Sequence, residues 1–229
     1  MLLYDSGVLL RMKYKAFLFD LNGTMIDDMA YHVKAWHAIF NNLGINISIQ
    51  RMKEECYGKN DEVIERIMPG KFSEEEKTEM SYAKERAYQK TFRPHLKLID
   101  GLSEFLEKAI QQNIQIAIGS AAIMFNIDFV LDGLNIRKYF SAIVSADDVN
   151  RSKPDPETYL KCAEALNVPP KDCIVFEDAP KGVESAVNAG MRSVVLTILH
   201  DEHEFSQYPN IIACGKNYSD KQILDLLAG

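Results

Sequence analysis

From Gly101 onward, short apolar runs alternate with helical stretches, and this alternation restricts the fold more than any other feature of the chain. The pattern predicts helix over 102–112, a strand over 114–119 (Ile-Gln-Ile-Ala-Ile-Gly), helix over 123–132 and a strand over 142–145. It continues with helix over 156–166, a strand over 173–177 (Cys-Ile-Val-Phe-Glu), helix over 181–189, a strand over 193–197 and a closing helix over 220–227. Apolar runs this short suit strands buried on both faces. Separated by helices, they predict an α/β fold built on a doubly wound parallel sheet.

One more run stands apart from the series. Residues 16–20 (Ala-Phe-Leu-Phe-Asp) lie between Lys15 and an Asn22-Gly23 turn. A lone strand cannot bury itself, so this one must join the same sheet. The intervening segment is helical throughout. Met29, Val33, Trp36 and Phe40 form one apolar stripe that ends at Gly44, and two short helices are predicted over 51–57 and 61–68, on either side of Gly58. Ser73 followed by Glu74, Glu75 and Glu76 opens a last helix that runs to about Phe92 and closes at Pro94. The expected organisation is an N-terminal extension (1–12), an α/β core (13–26 and 95–229) and an inserted all-helical domain (27–94).

Bulk properties exclude several classes. The chain has 229 residues and is 47% hydrophobic, enough for a sizeable core. A formal net charge of −7 argues against nucleic-acid and membrane-surface binding, which need a basic face. The four cysteines (Cys56, Cys162, Cys173, Cys214) form no C-x-x-C pair and read as small buried residues of a reducing compartment. No apolar run approaches the ~20 residues of a membrane span, and the first twelve residues lack the basic start of a secretory signal. A cytoplasmic protein is expected.

In a doubly wound sheet, the residues just past the strand carboxyl ends line the ligand crevice. Here they are Asp20 and Asn22, then Ser120, then Lys153 in Ser152-Lys153-Pro154-Asp155-Pro156, then Glu177 and Asp178. Each alone has a plain structural explanation: a turn cap, a helix cap, a loop cation, a solvated acidic turn. Their joint appearance in order at four strand ends points elsewhere. A carboxylate nucleophile, a hydroxyl, an ammonium and an acidic pair make the inventory of Mg²⁺-assisted phosphoryl transfer, with hard oxygen ligands for the ion and a lysine to neutralise phosphate charge.

These motifs resemble those of the haloacid dehalogenase superfamily: Asp20-Leu21-Asn22-Gly23-Thr24, Gly119-Ser120, Lys153-Pro154-Asp155-Pro156 and Glu177-Asp178. The helical insert is similar to the small cap of the β-phosphoglucomutase-like branch, with Tyr31-His32-Val33-Lys34-Ala35-Trp36 as its cap helix. The similarity covers the chain from Lys13 on. It implies that Asp20 becomes an aspartyl phosphate, that Ser120 and the Asn22-Gly23-Thr24 amides bind the phosphoryl group, and that Lys153 pairs with Asp20. It implies Mg²⁺ held by Asp20, the Asn22 carbonyl, Glu177 and Asp178. It places His32, Trp36, Lys59 and Ala121 near the substrate, a small-molecule phosphate ester, in a monomer or weak dimer.

Two departures from that pattern stand out. The family carries its proton-transferring Asp where this chain has Asn22, and a carboxamide cannot exchange a proton. General acid–base catalysis contributes ~10²–10⁴-fold, so an unassisted Asn22 enzyme would be slow by that factor. Four readings of Asn22 stay open: a natural residue with another group such as His32 moving the proton, a substitution made to trap a complex, a site that binds without turnover, or Asn-Gly deamidation restoring an acid. The second departure is Asp61. The mutases carry there a base for a second phosphate, and Lys59 is the only cation nearby. The sequence therefore favours a phosphatase over a phosphomutase or a phosphometabolite-binding pseudoenzyme.

Overall fold

The computed structural model describes residues 14–227; the extension expected over 1–12 lies outside them. Six strands, β1 (Ala16–Phe19), β2 (Gln115–Gly119), β3 (Ala142–Val144), β4 (Cys173–Glu177), β5 (Arg192–Leu196) and β6 (Ile211–Gly215), form one sheet. Their order is β3-β2-β1-β4-β5-β6, and every pair is parallel. From β1 the chain moves outward through β2 to β3, then crosses back to β4 and moves outward the other way. The strand order therefore reverses between β1 and β4, which opens a crevice at their carboxyl ends.

Alternation along β1 splits the core in two, as a two-residue side-chain period requires. Phe17 and Phe19 face one layer, where Phe19 stacks on Phe176 at 4.4 Å and Phe17 packs on Phe105 at 5.6 Å. Phe105 belongs to α5 (Leu102–Gln111). Ala16 and Leu18 face the other layer, built with Tyr159, Cys162 and Ala163 of α7 (Glu157–Ala165) and Ala186 of α8 (Pro180–Asn188). The remaining core helices are α6 (Met124–Gly133) and α9 (Lys221–Leu224).

β6 is a correction to the expected five strands. Ile211-Ile212-Ala213-Cys214-Gly215 is an edge strand, half-covered, following a loop that carries Pro209. With no amphipathic helix just ahead of it, its short run gave no βαβ signal. The closing helix is also shorter than the expected 220–227.

Between β1 and α5 lie α1 (Met29–Asn42), α2 (Ile49–Glu55), α3 (Asn60–Ile67) and α4 (Glu74–Phe92). α4 starts at the expected place for the expected reason. The Ser73 hydroxyl accepts from the Glu76 amide at 3.2 Å, and the Glu76 carboxylate accepts from the Ser73 amide at 2.7 Å. The four helices enclose their own apolar cluster of Val33, Trp36, Phe40, Met52, Ile64 and Ile67. Two ties hold this insert to the loop before Lys153: Lys59 Nζ donates to the Val149 carbonyl at 3.0 Å, and the Ser152 hydroxyl donates to Glu62.

Candidate active site

Asp20 sits where the strand order reverses. Its amide donates to the Phe176 carbonyl at 3.0 Å, extending the β1–β4 ladder by one residue. The register sets Asp20 beside Glu177. Lys153, arriving from the loop ahead of α7, donates to Asp20 Oδ1 at 2.6 Å and to Glu177 Oε1 at 2.7 Å. Tyr159 of α7 donates to the same Glu177 oxygen at 2.6 Å, and the Lys153 ammonium lies 4.7 Å from its ring centre. Glu177 Oε2 accepts from the amides of Asp178 (3.1 Å) and Ala179 (3.3 Å), while the Thr24 hydroxyl donates to Asp178 Oδ1 at 3.0 Å. Every side chain here is held by another element of the core.

Two glycines permit this crowding. Gly23 has φ +80°, and a Cβ there would stand 2.1 Å from Asp178 Oδ2. A Cβ on Gly182 would stand 1.8 Å from Glu177 Oε1. Any side chain at either position would displace a carboxylate.

The electrostatics follow from burial. Burial raises the Asp20 carboxyl to about 7; Lys153 opposes the rise, and Glu177 and Asp28 add to it. Burial, Glu177 and Asp20 hold Asp178 well above the usual carboxylate range. Burial works against the Lys153 charge, but Asp20 and Glu177 outweigh it and keep the ammonium above its ordinary value. Oxygens of Asp20, Glu177 and Asp178 lie within 4.8 Å of one another. Three carboxylates against one ammonium leave a hard-oxygen cradle with negative charge to spare, a donor set that fits a divalent cation of the Mg²⁺ or Ca²⁺ type.

Ser120 lies at the end of β2, buried, its amide donating to the Val144 carbonyl at 2.9 Å. Its Oγ accepts from the Ala122 amide at 3.1 Å, so the hydroxyl proton is left for another acceptor. Ala121 is half-buried in the same turn. Of the three turn amides expected to bind phosphate, that of Gly23 is already taken by the Ile26 carbonyl at 2.8 Å.

Of the insert residues, Trp36 is placed differently from the expectation. Trp36 stacks on Phe40 at 5.5 Å within the cap's apolar core and is almost wholly buried, because the apolar stripe that carries it packs inward. Lys59 donates its amine to the Val149 carbonyl, and it lines a cleft together with Asp61, Ser81 and Asp147. His32 is buried too, stacked on Tyr88 at 3.9 Å. Its Nε2 lies 3.1 Å from both Asp28 Oδ2 and Asn22 Nδ2, and its Nδ1 accepts from Lys84 at 2.7 Å. Lys84 also donates to Glu85 at 2.9 Å, which accepts from Asn60 at 3.0 Å.

A buried polar seam therefore runs from Asn22 into the insert. Asp28, Lys84, Glu85 and Tyr88 of that seam, and Tyr159 of the core, were not expected from the sequence. The i,i+4 spacing of Asp28 and His32 was the one available signal.

The model of the haloacid dehalogenase-like hydrolase family matches residues 17–196. The chain is 32% identical over 188 residues to the β-phosphoglucomutase of Bacillus subtilis, covering 79% of this chain and 82% of that protein. It is 29% identical to the fructose-1-phosphate phosphatase YqaB of Escherichia coli, over 82% of this chain and 98% of that one. The crystal structure of β-phosphoglucomutase from Clostridium difficile superposes with a TM-score of 0.80 at 28% identity, covering 94% of this chain and 97% of that chain. With the motifs, the parallel sheet and the acidic crevice all in agreement, the chain belongs to the haloacid dehalogenase-like hydrolases.

Proposed function

We propose that this enzyme is a Mg²⁺-dependent phosphatase of small organic phosphates, sugar phosphates foremost, acting through an aspartyl phosphate on Asp20. The observation that carries the reading is the contact of Lys153 with both Asp20 and Glu177 at the β1–β4 crevice, with Asp178 alongside. An Asp20 oxygen attacks phosphorus, the ester bond to the leaving oxygen breaks, and water then releases phosphate from Asp20. Lys153 offsets the charge on nucleophile and phosphate, and the Ser120 hydroxyl donates to the phosphoryl oxygens. Thr24 and the Asp178 and Ala179 amides hold the acidic pair in place. Asp20, Asp178, Glu177 (directly or through water) and the Asn22 carbonyl would hold Mg²⁺, which supplies charge neutralisation of the transferring group.

Sugar phosphates are favoured because the relatives include a fructose-1-phosphate phosphatase and a β-phosphoglucomutase. Hydrolysis is preferred to mutation of a hexose phosphate on one ground. The cap loop has an acid at Asp61, and its nearby cation, Lys59, is committed to Val149. A panel of sugar phosphates with Mg²⁺ tests the reading. Inorganic phosphate should appear, and Asp20→Asn should lower turnover by at least ~10⁴-fold. Isomerised hexose phosphate in the presence of a bisphosphate primer would reassign the enzyme as a mutase. Unchanged turnover in Asp20→Asn would end the aspartyl-phosphate mechanism.

A further inference from the structure

Glu62 lies in the first turn of α3, and its carboxylate accepts the Lys59 amide at 3.0 Å, the ordinary work of an acid at the third helical position. The same oxygen, Oε2, does something that capping a helix does not require. It also accepts the hydroxyl of Ser152, ninety positions further on and in the core. The backbone is shaped around this meeting. Gly58 has φ +77°, and a Cβ there would stand 2.4 Å from Glu62 Oε2 and 3.0 Å from Ser152 Oγ. Any side chain at position 58 would push the two apart.

Ser152 is the residue before Lys153. The rest of this loop is bound to the core. The amides of Asn150 and Arg151 donate to Glu157 of α7 at 3.0 and 3.1 Å. On α8, Asn188 donates to the Pro154 carbonyl at 2.9 Å and Ser185 to the Asp155 carbonyl at 2.7 Å. The insert reaches the loop at Val149 through Lys59 and at Ser152 through Glu62, and among the described residues no other side chain of the insert hydrogen-bonds to it. The Ser152 hydroxyl has one alternative acceptor nearby, the Lys153 carbonyl at 3.4 Å. Without Glu62, that hydroxyl falls to the backbone of the residue whose ammonium grips Asp20 and Glu177.

Resting on the phosphatase reading above, in which Lys153 offsets the charge of nucleophile and phosphate, we propose that Glu62 is a positioning residue for Lys153 and acts through Ser152. With the insert placed as it is here, Glu62 holds Ser152 and the ammonium is aimed between Asp20 and Glu177. With the insert displaced, Ser152 turns to the Lys153 carbonyl and the loop loses its tie on that side. The charge that stabilises the transferring phosphoryl group is then in full register only while the insert is docked on the core. A shift of ~1 Å in such a group can cost ~10²-fold in rate.

The test measures kcat and KM, with Mg²⁺ present, on the sugar phosphate that the unsubstituted enzyme hydrolyses fastest. In Ser152→Ala, which leaves the cap of α3 intact, kcat should fall by ~10–10²-fold while KM moves by less than ~3-fold. Glu62→Ala should show the same loss. Glu62→Gln keeps an oxygen for both donors and should return to within ~3-fold of the unsubstituted enzyme. The two side chains act as one unit, so Glu62→Ala combined with Ser152→Ala should be no more than ~3-fold slower than the slower single variant. Hydrogen exchange at residues 149–153 should quicken in both single variants. An unchanged kcat in Ser152→Ala, a loss confined to KM, losses that multiply in the double variant, no recovery in Glu62→Gln, or unchanged exchange would each overturn the assignment. If Glu62→Ala melts below the assay temperature, Ser152→Ala and Glu62→Gln carry the comparison. No phosphate from any ester in the unsubstituted chain would overturn the phosphatase reading and the assignment with it, whereas phosphate release that Ser152→Ala leaves intact overturns Glu62 alone.

Discussion

Two buried lysines, Lys153 in the core and Lys84 in the insert, have similar partners and opposite consequences. Each ammonium lies against a carboxylate at 2.6–2.9 Å. Yet Asp20 beside Lys153 is raised to about 7, whereas Glu85 beside Lys84 is lowered. Burial opposes the charge of both acids. Around Glu85, Lys84, His32 and the Asn60 amide outweigh burial. Around Asp20, the one lysine is shared with Glu177, and Asp28 adds a further acid. The seam around Lys84 thus spends its charge internally and holds the insert together. The crevice around Lys153 is short of positive charge, and a cation or a ligand proton can still be used there.

The largest effect that would challenge this contrast is on stability. Lys84→Met leaves Glu85 buried without its ammonium, and removing one partner of a buried pair costs ~3–5 kcal/mol. For a chain of this size that corresponds to a Tm lower by about 6–20 °C, read by thermal melting. Lys153→Met should behave the other way round. With Mg²⁺ present a divalent charge still compensates Asp20, Glu177 and Asp178, so Tm should fall by less than in Lys84→Met. Phosphate release should fall by ~10²–10³-fold, the scale for losing one preorganised charge at a transferring group. If the two variants lose stability to the same degree, the division into a structural and a chemical lysine is wrong.

The same contrast explains what could be read from the amino-acid order. Asp20, Ser120, Lys153 and the Glu177-Asp178 pair lie at or beyond the carboxyl ends of four short strands, and a parallel sheet has only one edge at which strand carboxyl ends meet. Position along the chain was therefore enough to gather them. Lys84 and Glu85 have no such marker. They lie in a helix that begins Glu-Glu-Glu-Lys and reads as charged throughout, and they are buried where α1 and α3 pack against it, through His32 and Asn60. Asp28 stands directly ahead of α1 with no motif to mark it, and its inward turn meets Tyr88, sixty positions further on. Trp36 was drawn toward the substrate by resemblance, although its own apolar stripe already pointed into the cap core. β6 escaped because a half-covered edge strand has weaker patterning than a central one.

The smallest expected effect is also the one that isolates the acidic crevice from the seam. Asp20 in the folded chain lies at about 7, above the ~3.9 of an exposed aspartate. Between those values the folded state binds more protons than the unfolded state. Its contribution to stability is therefore complete below the lower value and is lost as pH rises through the upper one. Asp178 is displaced in the same direction and adds to the trend. In the presence of a chelator, Tm should decline as pH is raised from about 5 to about 8. Mg²⁺ binds the ionised cluster and only in the folded state, so it stabilises by mass action. Its gain in Tm should be a few degrees at the higher pH and close to nothing at the lower, ~2–4 °C per kcal/mol in a chain of this length. Asp178→Asn should abolish the gain, while Lys84→Met, which leaves the crevice intact, should keep it. An equal gain at both pH values, or one that survives Asp178→Asn, would place the cation somewhere other than between Asp20, Glu177 and Asp178.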